Sequence, residues 1–236
     1  MTKVKARGGR RKGKGLLVLA STGLTPGHMT LETLTSLREC DRVFSCVADV
    51  RTCATLRACG VAVRRFEGDL GQSRAFAAAL AAARAAKKAA YLTYGDPLFR
   101  NRDALLLMEA CRREGIPCQV HHGVSSLNLL LGGLLLSNLE PRGVYLCAPG
   151  DPHRLCPEVP TLVFSTAQTE RHVRRRFVAA VQRLYPPDHR AELVVCLFQP
   201  EPGLRRTSCL VRDLGAAFQD ADPHSRATLY LPRVPA

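Results

Sequence analysis

Three short segments concentrate the residues able to do chemistry: Ser21-Thr22-Gly23-Leu24-Thr25-Pro26-Gly27-His28-Met29-Thr30, Gly95-Asp96-Pro97-Leu98-Phe99 and His121-His122-Gly123-Val124-Ser125-Ser126. Each follows an apolar run. Their glycines let a backbone approach a ligand closely, while Thr93, Asp96, Ser125 and Ser126 offer polar contacts. His28, His121 and His122 add imidazoles of the kind that act as bases near neutral pH, although each taken alone better suits a structural hydrogen bond. Gly23 and Gly27 do not form a GxGxxG pattern, so the first segment alone is also just a turn between strand and helix. The histidines lack metal-ligand spacing, and the ten cysteines are scattered without any CxxC pair, so no metal is expected. Cys46, Cys118, Cys147 and Cys196 lie inside apolar runs, where a reduced cysteine serves as a small buried hydrophobe.

Such segments work only if a scaffold brings them together. Short apolar runs alternate with helical patterns along the chain, the mark of an α/β protein with a largely parallel sheet. Strands are expected at residues 16–20, 42–48, 61–66, 89–94 and 117–121, with helices from Thr30, placed as a cap, to about 39, and at 50–58, 72–88, 103–114 and 127–136. In a parallel sheet the three segments leave the same edge, where open α/β sheets bind ligands. The second half continues in the same style, with strands at 144–148, 161–165, 193–198, 207–211 and 227–231 and a helix over 169–184. The expected division is a tail over 1–14, an α/β domain over 15–139 and a second α/β domain over 140–236, with the boundary near Asn138 to Arg142.

Bulk properties agree with a globular protein. The 236 residues are 46% hydrophobic and 23% charged, without an apolar stretch near the roughly 20 residues that span a bilayer. The run at 16–20 is shorter than a signal-peptide core, which points to the cytoplasm. Of the formal charge of +14, Lys3, Lys5, Arg7, Arg10, Arg11, Lys12 and Lys14 supply half, in a Gly-Arg-Lys segment that reads as disordered. A basic body suits a polycarboxylate, RNA or an acidic peptide, without choosing among them.

Taken together, the three segments resemble the tetrapyrrole (corrin and porphyrin) methylase superfamily nearly end to end. Gly95-Asp96-Pro97 matches its Gly-Asp-Pro cofactor loop, Gly115-Ile116-Pro117 its strand entry, and Gly123-Val124-Ser125-Ser126 its Pro-Gly-Val-Ser-Ser turn, with His122 in place of the proline. The resemblance implies two α/β domains, a homodimer, and S-adenosylmethionine folded into the cleft between the domains. By position, Gly95, Asp96, Pro97, Leu98 and Phe99 would line the methionine part and Ser125 and Ser126 the adenosine side, with Pro26 also among the cofactor-binding residues.

Within the superfamily, Gly27-His28-Met29-Thr30-Leu31-Glu32-Thr33-Leu34 and the following Asp41-Arg42-Val43-Phe44 look most like the borosin-type peptide backbone N-methyltransferases. That likeness implies a peptide acceptor supplied in trans and a catalytic arginine, Arg74 in Gln72-Ser73-Arg74, which would stabilise the imidate oxygen as the amide proton leaves. Gly68 and Ala78 stand where flanking tyrosines are expected, and Phe66 and Phe76 cannot relay a proton. Other acceptors therefore stay open. Arg100, Arg102 and Arg142 would pair with the carboxylates of a cyclic tetrapyrrole. The basic tail and the run Arg171-His172-Val173-Arg174-Arg175-Arg176 would suit a ribosomal RNA or diphthamide-pathway methylase. A cofactor-binding partner protein without turnover is the non-enzymatic alternative.

Overall fold

The computed structural model describes residues 15–68, 70–85, 87–136, 143–164, 169–197, 203–220 and 227–235. The basic tail over 1–14 and the expected domain boundary, with Arg142, lie outside the described residues. The chain divides into two compact units, Met1–Ser125 and Ser126–Ala236.

The first unit is built on five strands: β1 (Leu16–Ser21), β2 (Arg42–Ser45), β3 (Val63–Arg65), β4 (Lys88–Thr93) and β5 (Cys118–His121). All pair in parallel, in the order β3-β2-β4-β1-β5. Side chains alternate across a strand, and β1 uses both faces: Leu17 and Leu19 enter one core cluster, Val18 and Ala20 the other. A strand buried on both faces reads as a continuous apolar run, which is how Leu16–Ser21 stands in the sequence. Helices α1 (Leu31–Arg38) and α2 (Val50–Ala58) cover one face through Leu37 and Leu56. Helices α3 (Gly71–Arg84) and α4 (Arg102–Glu114) cover the other through Ala75, Ala79, Leu80 and Leu107.

Helix starts follow the expected chemistry. The Thr30 hydroxyl accepts from Thr33 N at 3.1 Å, Asp49 from Thr52 N at 2.6 Å and Asn101 from Ala104 N at 3.1 Å, each satisfying a first-turn donor. α3 ends earlier than residue 88 because Lys88 already belongs to β4. Its N–H donates to Asp41 Oδ2 at 2.9 Å and its ammonium pairs with Glu39.

The second unit holds α5 (Ser126–Gly133) and the strands β6 (Tyr145–Cys147), β7 (Thr161–Val163), β8 (Arg190–Leu197), β9 (Gly203–Leu210) and β10 (Thr228–Leu231), in the order β6-β7-β10-β8-β9. Only β6 and β7 pair in parallel; the other three pairings are antiparallel, a correction to the parallel style expected of this half. Helix α6 (Arg171–Leu184) buries Phe177, Val178 and Val181 in the core of this unit. A further helix, α7 (Leu214–Asp220), was not expected; Leu214 and Phe218, one turn apart, anchor it there. β9 begins four residues before the strand expected at 207. Its exposed Arg205-Arg206-Thr207-Ser208 run lacks apolar alternation, and pairing with β8, including a two-bond Arg206–Glu192 contact, holds it instead.

Candidate functional site

In the first sheet, the connection from β1 leads through α1 to β2 on one side, and that from β4 leads through α4 over the opposite face to β5 on the other. The chain thus switches direction between β1 and β4, the kind of point at whose carboxyl edge open α/β sheets bind ligands. Gly23 and Gly95, the loop residues just beyond these strands, meet there in an isolated bridge, with Gly95 N donating to Gly23 O at 3.0 Å.

A residue overlooked in the sequence reading organises this edge. Ser21, fully buried, donates its hydroxyl to Gly95 O at 2.6 Å and accepts from Gly23 N at 2.7 Å. Thr22 adds two bonds to Thr93 O, from its N–H at 2.8 Å and from its hydroxyl at 3.0 Å. The third loop presses on the same serine: a Cβ at Gly123 would lie 2.2 Å from Ser21 Oγ, so only glycine fits. Gly95 has a φ of +62°, the left-handed region, and sends the chain into Asp96.

Asp96 uses both carboxylate oxygens. Oδ1 accepts from Leu98 N at 2.8 Å, an Asx turn, and Oδ2 lies 2.7 Å from His122 Nδ1, tying the β4 loop to the β5 loop. Pro97 is buried, Leu98 is exposed, and Phe99 N donates to Asp96 O at 3.2 Å. Arg100 follows with a φ of 55°, an uncommon conformation for a side-chain-bearing residue. Pro26 opens a single 3-10 turn, Pro26–His28. Ser125 is buried beside Gly95, its Cα 3.6 Å from where a Gly95 Cβ would stand. Pro26, Gly95, Asp96, Pro97, Leu98, Phe99 and Ser125 therefore belong to the first unit, whereas Ser126 opens the second.

The three histidines differ. His122 is exposed and held by Asp96. His121 faces Glu32 at 3.4 Å without hydrogen-bond geometry; both its ring nitrogens, and Nδ1 of His28, are buried without a hydrogen-bond partner. Among the described residues no three His, Cys, Asp or Glu side chains could hold a metal ion. Burial pushes the Cys118 thiol up to about 12 and those of Cys40 and Cys196 to about 11, which keeps them protonated and poor as nucleophiles near neutral pH.

Arg74 lies in the first turn of α3, exposed, with its guanidinium 5.6 Å from the Phe66 ring centre. Arg64 on β3, also exposed, approaches the same ring at 5.0 Å. Neither forms an ion pair among the described residues. Nearby is a cluster that the sequence reading missed. The phenol of Tyr91 lies 3.6 Å from Cys46 Sγ and interacts with Asp103, which also accepts from Gln72. Burial raises both the Tyr91 phenol and the Asp103 carboxyl above their ordinary values. Tyr91 is 2% exposed, so this phenol does not replace the tyrosines absent at Gly68 and Ala78. Periodicity marks Tyr91 only as an inward position of β4 and carries no sign of its polar partners.

A family model described as Tetrapyrrole (Corrin/Porphyrin) Methylases matches residues 16–141. A search of curated proteins finds no match. Among solved structures, uroporphyrin-III C-methyltransferase from Thermus thermophilus is 23% identical, with 93% of this chain and 92% of that chain covered and a TM-score of 0.66. The same enzyme complexed with S-adenosyl homocysteine is 22% identical over 92% of each chain, with a TM-score of 0.65. Cobalt-precorrin-4 methyltransferase, a cobalamin biosynthetic enzyme, is 18% identical over 92% of this chain and 94% of that one, with a TM-score of 0.65. At these identities the likeness is one of fold, and the two-sheet α/β architecture is common to them.

Proposed function

Because the chain belongs to the tetrapyrrole (corrin/porphyrin) methylase family, we propose that it is an S-adenosylmethionine-dependent methyltransferase acting on a carbon of a carboxylate-bearing tetrapyrrole ring. The observation that carries the acceptor class is the pair Arg64 and Arg74. Two exposed guanidiniums approach one phenyl ring, and neither forms an ion pair among the described residues. Like charges so placed repel, and a substrate carboxylate between them offsets that repulsion through bidentate hydrogen bonds. A peripheral acid group of a macrocycle is such a carboxylate.

The β1, β4 and β5 loops fit the cofactor chemically. Asp96 offers a carboxylate to a cation, exposed Leu98 and neighbouring Phe99 offer apolar surface to a thioether chain, and Pro26, Gly95 and Pro97 shape the turn. Ser125 and Ser126 supply hydroxyls on the adenosine side, and the unpartnered His28 and His121 nitrogens are further polar atoms at this edge. S-adenosylmethionine, when bound, supplies a methyl group on a sulfonium, which is its own leaving group. The residues of this chain have only to align an electron-rich acceptor with that methyl and keep water away. No helix among the described residues is long and apolar enough to cross a membrane. A homodimer is part of this reading.

The second reading, a peptide backbone nitrogen as acceptor, is supported by Arg74, whose place in the first turn of α3 leaves its guanidinium exposed for an imidate oxygen. One experiment separates the two. The protein is incubated with methyl-labelled S-adenosylmethionine and either uroporphyrinogen III or peptides from its genomic neighbourhood, and products are located by mass spectrometry. Label on the macrocycle upholds the first reading; label on a backbone nitrogen replaces it with the second. Arg74→Ala is expected to bind S-adenosylhomocysteine normally while losing turnover, and full activity would remove Arg74 from both.

A further inference from the structure

The bond between His122 and Asp96 joins two of the proposed cofactor loops, and its chemistry bears on which form of the cofactor is held. His122 Nδ1 lies 2.7 Å from Asp96 Oδ2, and the imidazole is 63% exposed while the carboxylate is 18% exposed. Asp96 Oδ1 is already taken by Leu98 N. Of the other charged and titratable groups at this edge, Glu32 on α1 faces His121, and Nδ1 of His28 is buried without a hydrogen-bond partner. From α1, the Thr33 hydroxyl donates to the carbonyl of His122 at 3.4 Å. Arg100 lies four residues beyond Asp96 on the same loop.

A neutral imidazole donating from Nδ1 leaves the Asp96 charge available to a ligand cation. A protonated imidazole cancels that charge and sets a cation of its own at the loop. Imidazole is the side chain whose ordinary titration falls between pH 5 and 8. Both S-adenosylmethionine and its product S-adenosylhomocysteine carry an α-ammonium group, and S-adenosylmethionine adds a sulfonium charge that the thioether has lost.

We propose that His122, through its bond to Asp96, makes this loop selective for the charge of the cofactor, so that the sulfonium form binds with displacement of a proton from His122 and the thioether form does not. The inference rests on the cofactor reading above. It makes His122 a specificity determinant at a position where the family pattern has proline.

The test is calorimetric titration of the full chain with S-adenosylmethionine and S-adenosylhomocysteine between pH 6 and 8. In the wild type, affinity for S-adenosylmethionine is expected to rise with pH, by no more than about tenfold per pH unit for one coupled proton, while affinity for S-adenosylhomocysteine changes far less. His122→Asn keeps an N–H donor for Asp96 but cannot take up a proton. It should hold both ligands with the pH dependence gone, and His122→Gln provides a second uncharged donor if the first variant folds poorly. Equal pH dependence for the two ligands, or an undiminished slope in both variants, overturns the proposal. Binding of neither ligand by the wild type overturns the cofactor reading itself.

Discussion

Ser21 is the residue on which the geometry of the loops turns. A buried hydroxyl left without partners is costly, and this one is matched on both sides, to Gly95 O and from Gly23 N. Gly123 leaves no room around it: a methyl group there would stand 2.2 Å from Oγ and 2.6 Å from Cβ of Ser21. Gly123→Ala must therefore push Ser21 away and break the link from β1 to Gly95. The expected cost is about 1–3 kcal/mol, as for other overpacked sites, read from urea unfolding, together with weaker S-adenosylhomocysteine binding. Ser21→Gly opens the space, so Gly123→Ala should cost less in that background; strict additivity in the double-mutant cycle would show that the contact is relieved elsewhere.

Among the elements, α2 and α4 begin with carboxylates whose protons answer in opposite directions. Asp49 caps α2, and its bond from Thr52 N holds its carboxyl below the usual value. A lowered folded pKa means stability present above the unfolded value and lost as pH falls through the folded one. Asp49→Ala should cost about 1 kcal/mol at neutral pH, and the difference from wild type should shrink in acid. Asp103 in the first turn of α4 is raised, chiefly by burial, so its contribution is complete below the unfolded pKa and is lost as pH rises through the folded one. Asp103→Asn should remove that fall from the urea-midpoint profile above pH 4 or so; the same slope in the variant would place its source in another group. Caps such as Thr30 and the two-faced strand β1 were legible because their signals are local. The mixed second sheet was not, because strand direction depends on which neighbours pair, and β9 carries arginines where apolar alternation was sought. The candidate site was legible as three loops. Ser21 and the Tyr91–Asp103–Gln72 cluster were not, since bonds such as Ser21 to Gly95 and Gln72 to Asp103 join residues 74 and 31 apart and leave no mark in local spacing, nor was Arg64, whose approach to Phe66 no periodicity marks.

For the molecule as a whole, charge and ligand binding are separable. Half of the +14 formal charge lies in residues 3–14, whereas every residue proposed to hold the cofactor falls between 26 and 126. The described backbone bonding starts at Gly15, whose N–H donates to Ala83 O, and continues with Leu16 N to Lys87 O, both at 3.1 Å. Removing residues 1–14 should accordingly leave the melting temperature unchanged while lowering the salt needed to release the protein from a polyanion column. A ligand bound only by the native state stabilises it by about 2.7 kcal/mol at a hundred times its dissociation constant. For a chain of this size that corresponds to a rise of roughly 5–10 °C in the melting temperature. S-adenosylhomocysteine should produce that rise equally in the full and shortened chains, and Asp96→Asn should reduce the corresponding rise with S-adenosylmethionine. A rise lost with the first fourteen residues would make them part of the binding site; no rise in either chain would separate the family fold from its cofactor.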